Sequence, residues 1–202
     1  MLKPLYLASQ SPRRLELLRQ IGLAPAVLLL RNGSGRVDVD ETPKPNEPAL
    51  EYVLRLARAK AEAGESARHR RNLAAWPIVA ADTTVTLDGR ILGKPADAEE
   101  AAAMLRHYSG RSHSVLTGVA VAFQGRLKVA LSESAVTFQP LSEAEIAAYV
   151  ATREPFDKAG GYGIQGHAAM FIEHLSGSYS GVMGLPLFET ARLLREIGFP
   201  VI

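Results

Sequence analysis

VAADTTVTLDGRILGKP, residues 79–95, decides the fold. With Ile78 before it, the stretch opens as a short apolar run to Ala81, the pattern of a buried strand. Asp82 stands where that pattern would continue apolar, and Thr83, Thr84 and Val85 keep the β-branched character. Asp88-Gly89 is a two-residue hairpin signal between 85–87 and 90–92. The segment closes on Gly93-Lys94-Pro95. A carboxylate is thus expected on a central strand, with a lysine returned near it by a hairpin. A buried acid needs a charged partner, a metal or a proton. Asp82 therefore reads either as a catalytic group or as a strand-end acid capping a nearby loop.

Upstream, residues 5–8 form a short apolar strand candidate that runs into Ser9-Gln10-Ser11-Pro12-Arg13-Arg14. Ser11 suits an N-cap and Pro12 the first helical position, and the helix should stop at Gly22. Free amides at that start, two serines and two arginines make an anion site; the plainer reading is a capped surface helix with solvated arginines. Residues 25–30 read as a second strand and 31–48 as a long loop carrying Asp38, Asp40 and Glu41. A long helix is expected over about 47–67, buried along Leu50, Val53, Leu54, Ala57 and Ala61. Lys60 falls on the same side, so it either snorkels outward or meets an anion. Residues 68–72, RHRRN, read as a solvated turn.

Downstream, Asp97 and Glu100 open a helix to about Tyr108, and residues 112–123 and 126–138 pair as a hairpin about Gln124-Gly125. His113 reads as structural. Ser142 and Glu145 open a helix that buries Ile146, Tyr149 and Val150. Residues 157–166, DKAGGYGIQG, hold four glycines in ten positions, where the backbone can approach a ligand closely. Within them Lys158 can meet phosphate, and Gln165 offers a donor and an acceptor to a base edge. Residues 168–175 read as a strand, 177–187 as a second glycine-rich turn, and Leu187, Ala191 and Leu194 as the face of a terminal helix ended by Gly198 and Pro200.

The composition is ordinary for a globular chain: 202 residues, 47% hydrophobic and 22% charged. A net charge of +2 gives no argument for nucleic acid, and the absence of cysteine excludes disulfides and thiolate metal sites. With no apolar run of membrane length and no secretory leader, a cytoplasmic enzyme is expected. Anion-binding candidates at Ser9, Arg13, Arg14, Lys60, Lys94 and Lys158, with isolated acids at Glu41 and Asp82, suit a polyphosphate and a hard divalent cation held by oxygen. There is no G-x-x-x-x-G-K-[ST] loop. The letters Gly161-x-Gly163-x-x-Gly166 follow no strand and open no helix, so they do not mark a dinucleotide fold.

LYLASQSPRR, AADTTV, GKP, SVLTGVAV, DKAGGYGIQG and GSYSGVMGLPL, in that order, resemble the Maf family of nucleoside triphosphate pyrophosphatases over nearly the whole chain. The resemblance implies an α/β fold: residues 1–202 as a single unit, with a long curved mixed sheet, flanking helices and two lobes around a cleft, as in inosine-triphosphate pyrophosphatase-like proteins. It implies cleavage between the α- and β-phosphates, a divalent cation (Mg²⁺ or Mn²⁺), a nucleoside triphosphate as the partner rather than nucleic acid or membrane, and a homodimer. Asp82 matches the family's proton acceptor, and Arg13, Thr83 and Gln165 match positions tied to substrate choice. Ser9, Arg14, Glu41, Lys60, Lys94 and Lys158 match the polar set around phosphates and metal, with Glu41 and Asp82 toward the metal. The loop form resembles the branch acting on dTTP and UTP; a 7-methyl-GTP branch and a nucleotide-binding regulator of septum formation are the alternatives. Gly181 departs from the family, which usually has Asn there.

Overall fold

Strand β3, Ile78–Leu87, is the spine of the computed structural model, which describes residues 3–31 and 37–201. Its turn is the expected one: Asp88 (φ 52°) and Gly89 (φ 75°) both take positive φ, and β4, Arg90–Leu92, returns antiparallel. Beside β3 lie β1, Lys3–Leu7, parallel, and β5, Ser112–Phe123, antiparallel. β2, Leu23–Val27, pairs with β1; β6, Arg126–Phe138, and β7, Ile172–Ser176, extend the other side. Among the described residues the result is a seven-stranded mixed sheet, ordered β2-β1-β3-β5-β6-β7 with β4 paired to β3. The 32–36 part of the expected 31–48 loop lies outside the described residues.

Helices cover both faces, and the pleat of β3 decides which side chain meets which helix. Ile78 and Ala80 pack under α2, Ala49–Arg70, with Ala57 and Ala61. Val79 and Ala81 face the opposite way, onto Leu17 and Leu18 of α1, Pro12–Gln20, and Leu193 and Leu194 of α6, Leu187–Glu196. Further along, Val85 and Leu87 join a separate core with Leu105 and Tyr108 of α3, Ala98–Tyr108, and Ile146 and Tyr149 of α4, Glu143–Ala151. Asp82 and Thr83 sit where the first cores give way to this one. Alternation points Asp82 at α2 and Thr83 at α1.

Helix α2 can lie this close because β5 has no side chain at Gly118, the register partner of Asp82. A Cβ there would run into the Val53 carbonyl of α2. From sequence alone this glycine is one more position within the strand expected over 112–123.

Several expected boundaries move. The second strand ends at Val27 rather than running over 25–30, because β1, its parallel partner, ends at Leu7; beyond, Leu29 is exposed. Pro25 is tolerated on this edge strand. Leu50 is 43% exposed rather than buried, since it lies in the first turn of α2, ahead of the sheet contact at Val53. Residues 68–70 belong to the last turn of α2 and not to a turn outside it; basic side chains suit a helix C-terminus. The expected strand at 168–175 begins as a 3-10 turn, His167–Phe171, and becomes strand at Ile172. The second glycine-rich turn contains a short helix, α5, Tyr179–Val182.

His113 is buried, its Nε2 2.7 Å from the Tyr162 hydroxyl and its ring packed on Tyr108. Burial pulls its imidazole down from the usual 6.5 to about 4. The unfolded chain therefore binds a proton near pH 6.5 that the folded chain refuses until near pH 4. The stabilisation is full above 6.5 and lost as pH falls through that window, about 3 kcal/mol in all. Urea unfolding at stepped pH measures it; a His113→Gln chain with an unchanged slope between pH 6.5 and 4 removes His113 as the cause.

Candidate active site

The loop after β1, the hairpin β3–β4, helix α2 and the glycine-rich segment after α4 enclose one cleft of about 780 Å³, within the usual range for small-molecule sites. All ten residues singled out from the sequence line it. Six cationic side chains and three carboxylates face it, an excess of positive charge suited to a polyanion.

Asp82 is 9% exposed, and Lys60 Nζ reaches its Oδ1 at 2.7 Å. The lysine meets an anion rather than snorkelling, and the acid caps no loop. Among the described residues Oδ2 of Asp82 has no partner. Lys60 also holds Glu41 at 2.9 Å, a carboxylate 59% exposed at the cleft edge. Tyr52 donates its hydroxyl to the Glu41 carbonyl at 3.0 Å. Burial, with Asp82 and Glu41 nearby, pushes the Tyr52 phenol up to about 12, so it stays a neutral donor.

Arg14 is a strut across the site. It donates to Gly184 O (2.7 Å), Ala81 O (2.8 Å), Thr83 Oγ1 (3.2 Å) and Ser9 Oγ (3.3 Å). Burial lowers its guanidinium below the ordinary value, and Asp82 opposes that shift. Four of its five N–H groups are spent on the protein, so at most one is left for a ligand. Thr83 Oγ1 continues to Thr117 Oγ1 at 2.9 Å, and Thr117 donates to Gly181 O at 2.8 Å. Gly181 thus serves through its backbone. A Cβ there would lie 2.9 Å from Ser132 Oγ, so an Asn side chain at this position requires neighbours to move.

At the start of α1 the Ser11 side chain makes no cap. Ser9 Oγ accepts the Ser11 N–H instead, at 3.1 Å, because the chain turns off β1 before the helix begins. The helix amides beyond are left for an anion. Arg13 lies 3.8 Å from Asp157 across the cleft. Lys158 donates to Asp157 at 2.6 Å and to Glu154 O at 2.8 Å. Burial works to push the Asp157 carboxyl up; the Lys158 hydrogen bond and the Lys158 and Arg13 charges outweigh it and hold it low. Lys94 differs from the others: it is exposed and has no ion-pair or hydrogen-bond partner among the described residues. Gly160 N–H bonds Gly93 O at 2.8 Å, tying the glycine-rich segment to the hairpin that carries Lys94. Gln165 is exposed to the cleft.

Among the described residues no group of three His, Cys, Asp or Glu side chains gathers for a metal. Glu41 and Asp82 nevertheless converge on one ammonium, so two carboxylates meet at one point. That set fits a Mg²⁺-like ion completed by phosphate oxygens and water, and is too small for an ion held by protein alone.

A mixed-sheet α/β protein with a cation-lined cleft, a buried strand acid and two convergent carboxylates is of the nucleotide-phosphate-handling class. Residues 4–197 match the model of a family described as Maf-like protein. The chain belongs to the Maf-like family. It is similar to a dTTP/UTP pyrophosphatase of Aromatoleum aromaticum, 56% identical over 199 residues covering 98% of this chain and 97% of that protein. It is likewise similar to a dTTP/UTP pyrophosphatase of Nitrosomonas europaea (52% over 198 residues, 98% and 96% covered). A nucleoside triphosphate pyrophosphatase of Haemophilus ducreyi is 50% identical over 200 residues, with 99% and 98% covered.

Proposed function

We propose that the chain hydrolyses dTTP and UTP to the nucleoside monophosphate and pyrophosphate. Asp82 carries the reading: Lys60 fixes one carboxylate oxygen at 2.7 Å, and the other has no partner among the described residues in a positively charged cleft. The names of the similar proteins support the choice of nucleotides.

The triphosphate lies against Ser9, the start of α1, Arg13, Lys94 and Lys158, and Arg14 keeps these walls in register. Asp82 takes a proton from a water that attacks the α-phosphorus. The bond from that phosphorus to the α–β bridging oxygen breaks, and the bridging oxygen leaves with pyrophosphate. Cationic side chains offset the charge that gathers there. Glu41 and Asp82 would hold a Mg²⁺ or Mn²⁺ ion, which when bound neutralises phosphate charge. Gln165 matches the carbonyl and N–H edge of thymine or uracil with its amide, and Arg13 and Thr83 contribute to substrate choice. To this reading belong a single unit over residues 1–202, a homodimer and a cytoplasmic setting without nucleic acid or membrane. No helix among the described residues is long and apolar enough to cross a membrane.

The purified chain, given a panel of nucleoside triphosphates with Mg²⁺, should release pyrophosphate from dTTP and UTP in preference to the rest. Pyrophosphate from 7-methyl-GTP alone overturns the substrate choice. Orthophosphate as the first product overturns the cleavage site.

A further inference from the structure

Glu154 does not line the cleft, yet two cleft residues depend on it. Its side chain is 13% exposed. Oε1 accepts the Tyr149 hydroxyl at 2.9 Å, which ties it to the buried face of α4. Oε2 accepts the His167 backbone N–H at 2.9 Å and lies 2.9 Å from His167 Nδ1. The backbone carbonyl of the same residue accepts Lys158 Nζ at 2.8 Å. One residue therefore holds the segment near both ends, at Lys158 and just past Gln165. Burial works to push the Glu154 carboxyl up, but the His167 and Tyr149 hydrogen bonds outweigh it and hold it below its usual value.

The neighbouring backbone is shaped to this contact. Gly166 lies so near that a Cβ would run into the Glu154 carboxylate, and a Cβ at Gly163 would lie 2.8 Å from Lys158 Cε. Arg153 adopts φ 64°, a left-handed conformation that a non-glycine residue takes only when its surroundings impose it. That turn directs Glu154 back under the loop rather than along α4.

We infer that Glu154 is a positioning residue that fixes Lys158 and Gln165 relative to each other, and so sets phosphate affinity and base selectivity together. This rests on the reading of the cleft as a dTTP and UTP site. Lys158 and Gln165 could otherwise drift independently on a glycine-rich backbone. Displacing a binding group by even one ångström is costly in rate.

Glu154→Ala should raise KM for UTP and dTTP about tenfold or more and lower the preference for UTP over CTP, with a smaller change in kcat. Glu154→Gln should restore both: its amide oxygen serves the His167 N–H and its NH₂ faces Tyr149. His167→Pro tests the same link from the other side. It removes the N–H donor at the first position of a 3-10 turn, where proline is accepted, and keeps Glu154 on Tyr149; it should act in the same direction as Glu154→Ala. Amide hydrogen exchange over residues 157–167 should quicken in both Glu154→Ala and His167→Pro, with no nucleotide present. Unchanged exchange in His167→Pro overturns the inference, as does a KM rise that tracks lost thermal stability without a change in the UTP/CTP ratio. A wild-type chain that releases no pyrophosphate removes the proposed function and leaves the exchange experiment to judge the clamp.

Discussion

Asp82→Asn lowers the rate of pyrophosphate release by about 10²–10⁴-fold and leaves a folded protein. The amide keeps the volume of the carboxylate and an oxygen for Lys60 Nζ, now 2.7 Å from Oδ1. It cannot take a proton from water. Lys60 retains Glu41 as a counter-ion at 2.9 Å, so the substitution does not strand a buried cation. Without added divalent metal the variant should bind nucleotide with affinity near that of the parent, because the cations along the phosphate path are untouched. Single-turnover rates beside a binding titration separate the two effects. Turnover close to that of the parent would remove Asp82 from the proton transfer.

Lys60→Met has its main effect on stability. It leaves the Asp82 carboxylate, whose side chain is 12% exposed, buried without its cation. Breaking a buried pair from one side costs about 3–5 kcal/mol. Most of that cost is the stranded charge rather than the lost attraction, so the double change Lys60→Met with Asp82→Asn should recover much of it. Activity should not return with it. The outer pair to Glu41 contributes little, about 0–1 kcal/mol, because that carboxylate is largely in water. Denaturant unfolding of the parent, both single variants and the double variant gives the coupling directly. Additive losses would show that Lys60 and Asp82 act separately.

Local chemistry made much of this architecture legible. Asp88-Gly89 and Gln124-Gly125 name their own turns, and the strands on either side of the second turn, Ser112–Phe123 and Arg126–Phe138, pair antiparallel as expected. Asp97 and Ser142 announce their helices, and each side chain accepts the expected N–H. Clustered polar residues in glycine-rich or strand-end segments marked the cleft well enough that every candidate lies on it. What stayed illegible depends on partners distant in the chain. Where β2 stops is set by where β1 stops. Ser11 looks like a cap, but its side chain makes no cap bond and its own N–H turns back to Ser9 Oγ. Glu154 looks like one more surface acid until His167 and Tyr149 are brought to it. Gly118 could not have been singled out at all, since its meaning is the position of a helix more than fifty residues earlier.

Gly118 also bears on how such a chain can change over evolutionary time. The lysine–aspartate distance in the cleft is fixed by backbone lying on backbone, with no side chain between that could be lengthened or trimmed. Variation at that contact therefore comes in one direction only, outward, and each outward step pulls Lys60 from its carboxylate. The loop after β1 has no such backbone-on-backbone contact, and the segment around Gln165 is held by side chains, those of Glu154 and Lys158, which can change with it. New nucleotide preferences are accordingly to be sought in those two segments, with the helix–sheet contact inherited unaltered, and a designer who wants another base in this cleft would leave position 118 alone.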